Sequence, residues 1–216
     1  MEAPTLSQES ESRDYNPWID MWFRPRETVR YLLDYRVKRW IYVLVCLNGI
    51  SHVLDRASNK SMGDDMSLSM ILLFSLLIGP IAGIIGWIIF SGVIRLAGKI
   101  LKLEADGREV RAAVAWSYVP IAWSLLLWIP ALLIFKDELF LSQTPAIDSS
   151  PLLMSLLLLF SLFGFIIFIW HVVILSKSVG EVFGCSAWKG LGTVVLGFMI
   201  LYVPFLLILL PFILLS

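Results

Sequence analysis

The stretch MSLSMILLFSLLIGPIAGIIGWIIFSGVI, Met66 to Ile94, runs for 29 positions without a charged side chain. A helix rises about 1.5 Å per residue, so about 20 apolar residues cross the roughly 30 Å hydrocarbon layer of a bilayer. Three more uncharged runs follow: Ala112 to Phe135, Ser149 to Ser176 and Gly190 to Ser216. A globular domain has about a quarter of its residues charged. Here the charged fraction is 16%, the hydrophobic fraction 58% and the mean hydropathy +0.83. These values predict an all-α, polytopic membrane helical bundle. With most of the 216 residues in spans, no room is left for a separate soluble domain of ordinary size.

A fifth segment, WIYVLVCLNGISHVL from Trp40 to Leu54, is shorter, with 14 uncharged residues from Ile41 onward. Charge distribution decides whether it crosses, because Lys and Arg near span ends stay on the cytoplasmic side. Five crossings put 14 basic residues in the cytoplasm and three outside (Arg56, Lys60, Lys136); four crossings leave 7 inside and 10 outside. The expectation is therefore five transmembrane helices in the cell membrane, with the N-terminus cytoplasmic and the C-terminus extracytoplasmic. The external connections, carrying Asp55, Asp64, Asp65, Asp137, Glu138 and Asp148, are expected to be small, mildly acidic connectors.

Residues 1–16, MEAPTLSQESESRDYN, are acidic and Ser-rich with no apolar core. They read as a disordered cytoplasmic tail rather than a cleavable signal or lipid anchor, leaving 17–216 as the membrane domain. Between tail and first span, Pro25 suits the first position of a helix and Glu27 its positive start. From there Val29, Leu32, Leu33, Val37 and Trp40 share one helical face. Aromatic residues (Trp18, Trp22, Phe23) and basic ones (Arg26, Arg30, Arg36, Lys38, Arg39) accompany that stripe. This composition predicts an N-terminal amphipathic helix lying in the headgroup region; packing of the same stripe on the protein's own cytoplasmic loops is the alternative.

Within the spans, Gly79, Gly83 and Gly86, and later Ser176, Gly180 and Gly184, recur at three- or four-residue steps, the pattern that lets helices approach closely in lipid. Prolines at 80, 120, 130, 204 and 211 are expected to kink their helices. Gly98 is expected to end one helix and the turn from Arg108 to Arg111 to start the next. His171, near the cytoplasmic end of the fourth span, is expected to satisfy a neighbouring carbonyl or to face the interface.

Chemistry is sparse. The span middles carry no strongly ionisable group of the kind that builds proton relays. No P-loop, HExxH or GxSxG pattern occurs, and Cys46 and Cys185 lack metal or redox spacing. No catalytic, cofactor-binding or metal-binding residue is assigned, and no enzyme activity is expected. Zero net charge argues against nucleic acid as a partner.

The order W-x-x-x-W-F-x-P-R-E-T (Trp18 to Thr28), then GKILKLEADGREVRAAVAWSYVP (Gly98 to Pro120), then SKSVGEVFGCSAWKG (Ser176 to Gly190) resembles the Yip1-domain family. The likeness implies a five-span, all-helical fold with a cytoplasmic N-terminus. Eukaryotic members act in membrane trafficking and bind prenylated Rab GTPases, but this chain lacks their long N-terminal region and DLYGP signature. Its short tail is similar to that of bacterial members, some of which accompany ABC-type exporters linked to resistance against membrane-active peptides. The leading expectation is a non-enzymatic accessory partner of another membrane complex, such as an ABC-type exporter, with self-association also open. A small transporter or channel, and a lipid or membrane-curvature organiser, are the alternatives.

Overall fold

A computed structural model describes residues 16–35 and 40–214, with side chains through residue 203. The expected disordered tail, apart from Asn16, and the interface positions Arg36, Lys38 and Arg39 lie outside the described residues, as does Val37. Every described element is helical.

Local sequence explains most helix starts. Asn16 accepts the amide of Trp18 at 3.2 Å and Pro17 follows it, opening α1 (Pro17–Phe23). Pro25 and Glu27 then occupy the first turn of α2 (Pro25–Asp34). Next come α3 (Ile41–Asn59) and α4 (Leu68–Ile100), the latter capped by Ser67. Asp106 accepts the amide of Arg108 and starts α5 (Gly107–Ser117). The chain continues through α6 (Val119–Phe135), a short α7 (Pro145–Ser149), α8 (Pro151–Val182) and α9 (Ala187–Leu214).

Three expectations about boundaries need correction. The shoulder is not one helix reaching Trp40, because α2 ends at Asp34 and Tyr35 caps it. The uncharged run from Ala112 to Phe135 is broken at Tyr118, and Pro120, whose missing amide suits a first turn, lies at the start of α6. Gly98 does not end α4. The helix runs on to Ile100, and Lys102 at φ 58° turns the chain while its own amide and that of Leu103 return to Lys99 and Gly98.

The helices close a ring in the order α3, α4, α9, α8, α6, and each neighbouring pair is packed. The short α5 plugs that ring at one end, touching α3, α4 and α8. Its Val110, Ala113, Val114, Ala115 and Trp116 are all buried.

The packing inverts the pattern of a water-soluble bundle. On α4 the inward stripe is Ile71, Ser75, Gly79, Gly83, Trp87 and Ser91, spaced every four residues and mostly small. Leu73, Leu76, Leu77, Ile81, Ile85 and Ile88 point outward and are about half exposed. Contiguous apolar surface on this scale is unstable in water and is what lipid solvates. Three segments are long and apolar enough to cross a bilayer: Leu68–Ile100, Gly107–Phe140 and Pro151–Val182. The chain is thus an all-helical membrane protein.

Candidate functional site

The basic end of the bundle, carrying α1, α2 and the α4–α5 and α8–α9 connections, is organised by one carboxylate. Glu181, in the last turn of α8, accepts from Arg30 Nε at 2.7 Å and from Arg30 Nη2, and its other oxygen lies 3.6 Å from Arg26 Nε. Arg26 also donates to the carbonyl of Cys185. Two indoles complete the attachment: Trp123 donates to the carbonyl of Trp18 at 3.3 Å and Trp170 to that of Trp22 at 3.2 Å. Met21, Val29 and Leu32 are buried in the core that holds Val110, Trp116 and Val179. The apolar face of the shoulder is thus turned onto the protein itself. Of its aromatic residues, Phe23 points outward at 76% exposure, while Trp18 and Trp22 pack against the core.

The glycines fall into two groups. A Cβ on Gly79 would lie 2.7 Å from Ile50 Cα, and one on Gly83 3.0 Å from Gly49 Cα, so α3 and α4 touch backbone to backbone there. Likewise a Cβ on Gly190 would lie 2.8 Å from the Gly180 amide nitrogen, fixing the α8–α9 crossing. Gly86 and Gly184, expected to pack helices, meet nothing within 4 Å. Gly184 serves conformation instead: at φ 60° it ends α8, its amide returning to Glu181 and that of Cys185 to Gly180. Gly49 and Gly190, the partners in these crossings, were not recognisable as such from spacing alone.

Trp87 donates to the carbonyl of Arg111 at 2.9 Å, tying α4 to α5. His171 is buried, with Nδ1 2.8 Å from the carbonyl of Ser117 and its ring stacked on Tyr118. It satisfies a neighbouring carbonyl, the first of its two expected placements. The contact also caps the broken end of α5, where a backbone acceptor is free because the helix stops.

Two clefts adjoin this framework. At the basic end, one of about 720 Å³ is lined by Arg95, Lys99 and Lys102 together with Glu104, Asp106 and Phe183. The other, about 370 Å³, lies between α3, α6 and α8 beyond the His171 layer. Its walls are apolar, but Ser51, His52, Asp55, Ser58, Ser124 and Ser161 place polar groups in it.

The acidic end is closed by short contacts. Phe140 is fully buried and stacks on Trp128. Ser58 donates to the carbonyl of Leu139 at 2.7 Å, and Glu138 accepts the amides of Ala146 and Ile147 at the start of α7. The Ser142 amide donates to Asp64 at 3.0 Å and holds that carboxyl below its ordinary value.

No curated protein and no solved structure matches the chain. Its sequence matches the Yip1 domain over residues 19–210, from the docked α1 to the last turns of α9. That span covers most of the polypeptide, and the chain belongs to the Yip1 domain family of membrane proteins.

Proposed function

We infer that the protein is a non-enzymatic adaptor in the cell membrane, crossing five times and holding or supporting another membrane complex. The basic end faces the cytoplasm in this reading, which places the N-terminus there and the C-terminus outside. One observation carries the adaptor reading: none of the residues in the most apolar 18-residue window of α8 is buried within the chain. Phe163, Phe165 and Phe168 project from that helix at about half exposure or more. The docked shoulder meanwhile gives the cytoplasmic side a fixed shape, suited to a protein surface. An ABC-type exporter is the partner class that the family resemblance suggests. A photo-crosslinking residue at Phe165 in native membranes tests this. Adducts with subunits of a polytopic complex support the adaptor reading; adducts with lipid alone, together with recovery of the lone polypeptide in mild detergent, overturn it.

Lipid organisation is the second reading, favoured by the outward Phe23 and Trp188 and by the cleft lined by Arg95, Lys99 and Lys102 at the basic end. Arg95, Lys99 and Lys102 then carry the interaction with anionic lipid, since Arg26 and Arg30 are engaged by Glu181. Vesicle co-sedimentation in which charge reversal of Arg95 and Lys99 leaves binding to anionic vesicles unchanged would remove this reading.

A further inference from the structure

The cleft between α3, α6 and α8 has a hydrogen-bonding character its residue types do not reveal. Ser124 donates its hydroxyl hydrogen to the carbonyl of Ile121, Ser161 to that of Leu157, and Ser58 to that of Leu139. Ser51 points its hydroxyl at Asp55 Oδ2, 3.5 Å away. A hydroxyl has one hydrogen to give, so each serine offers the cleft its lone pairs only. Beside them stands the Asp55 carboxylate, an acceptor, and no lysine or arginine lines the cleft among the described residues. The His52 ring and the Trp128 indole are the side-chain donors in the lining.

The remaining wall is apolar and aromatic: Leu127, Trp128, Leu157, Phe160, Ile167 and Phe168. An acceptor-rich group of side chains next to aromatic faces suits a ligand that supplies several donors and a positive charge, with cation–π attraction adding to the carboxylate. The length of apolar wall suits an alkyl chain. Gly164, on the α8 side, leaves room, since a Cβ there would meet nothing within 4 Å.

We propose that this cleft binds the primary ammonium head of an amphiphile, Asp55 and the serine oxygens holding the head and the α6 and α8 walls holding the chain. The inference is independent of any protein partner. Two sources share this chemistry: an aminophospholipid of the bilayer and a free single-chain amine.

Native mass spectrometry of the full-length protein from detergent micelles tests it, with dodecylammonium as probe and dodecanol as the uncharged control. The wild type is expected to retain one dodecylammonium in preference to dodecanol. Asp55→Asn, which keeps shape and removes charge, is expected to weaken retention by about tenfold or more. Gly164→Trp fills the cleft without touching the carboxylate and is expected to abolish retention, which keeps the test decisive if Asp55→Asn does not fold. Equal retention of amine and alcohol by the wild type, or undiminished retention by the folded variants, overturns the proposal. Displacement by phosphatidylethanolamine and not by phosphatidylglycerol identifies the bilayer as the source; failure of both to displace the probe identifies the single-chain amine.

Discussion

A methyl group added at Gly49 would fall against the carbonyl of Gly79, a backbone atom with no freedom to move aside. Gly49→Ala is therefore expected to force α3 and α4 apart and to cost about 1–3 kcal/mol, the usual range for overpacking. Gly86→Ala, at a site open to 4 Å, should be neutral or slightly stabilising because alanine is the better helix former. Thermal unfolding of the two variants in the same detergent checks the contrast, and equal midpoints would show that the α3–α4 contact is not close. Lys102 gives the opposite sign. It holds a left-handed turn that glycine adopts at no steric cost, so Lys102→Gly should raise stability by about 0.5–1 kcal/mol in the same assay. Spacing identified Gly79 and Gly83 as contact residues, but nothing local distinguished Gly86 from them. Which face of α4 meets α3 is set by the whole ring, and so is the choice among equally spaced glycines.

At the scale of elements, α1 and α2 are held to the bundle by a carboxylate about 150 residues away in the chain. Glu181→Gln removes the charge that both arginines share. Arg30 is well exposed and screened by water, so the expected loss is modest, about 1 kcal/mol. The effect should be local: faster amide exchange across Pro17–Asp34, with α4 and α8 unchanged. Uniform exchange along the chain would contradict the docked arrangement. At the other end, the depressed Asp64 carboxyl favours the native state above its unfolded value of 3.8, and that contribution is lost as pH falls through the native value. The Ser142 amide should therefore lose protection in acid, and Asp64→Asn should abolish that pH dependence. The sequence made the element inventory legible, because length, caps and proline positions are local: Asn16 with Pro17, Pro25 with Glu27, Asp106 before α5. It did not make the clasp legible. Arg26, Arg30 and Glu181 carry no shared pattern, and the amphipathic stripe of α2 suits a membrane surface and a protein surface equally well. The cleft was hidden for the same reason, since its acceptor character depends on where each serine hydroxyl points.

For the whole molecule, the ring of helices and the charge asymmetry together predict an odd number of crossings. Reporter fusions at the two termini should show the N-terminus in the cytoplasm and the C-terminus outside; the same compartment for both would require one of the five helices to lie on the surface. The hydrophobic runs were enough to establish a membrane bundle, but they implied a continuous third span. The break at Tyr118 separates a lipid-facing α6 from an α5 whose Val110, Ala113, Val114, Ala115 and Trp116 are buried against α3, α4 and α8, with Arg108 and Arg111 left exposed. This division bears on how the chain is made. When the ribosome has delivered α5, the helix that will cover it is still unsynthesised, so alanines 113 and 115 and Trp116 must wait against lipid or a chaperone until α8 arrives. Chains released after Ser150 would leave the α8-facing side of that segment uncovered, which makes α5 the natural place for quality-control proteases to distinguish unfinished polypeptides from finished ones.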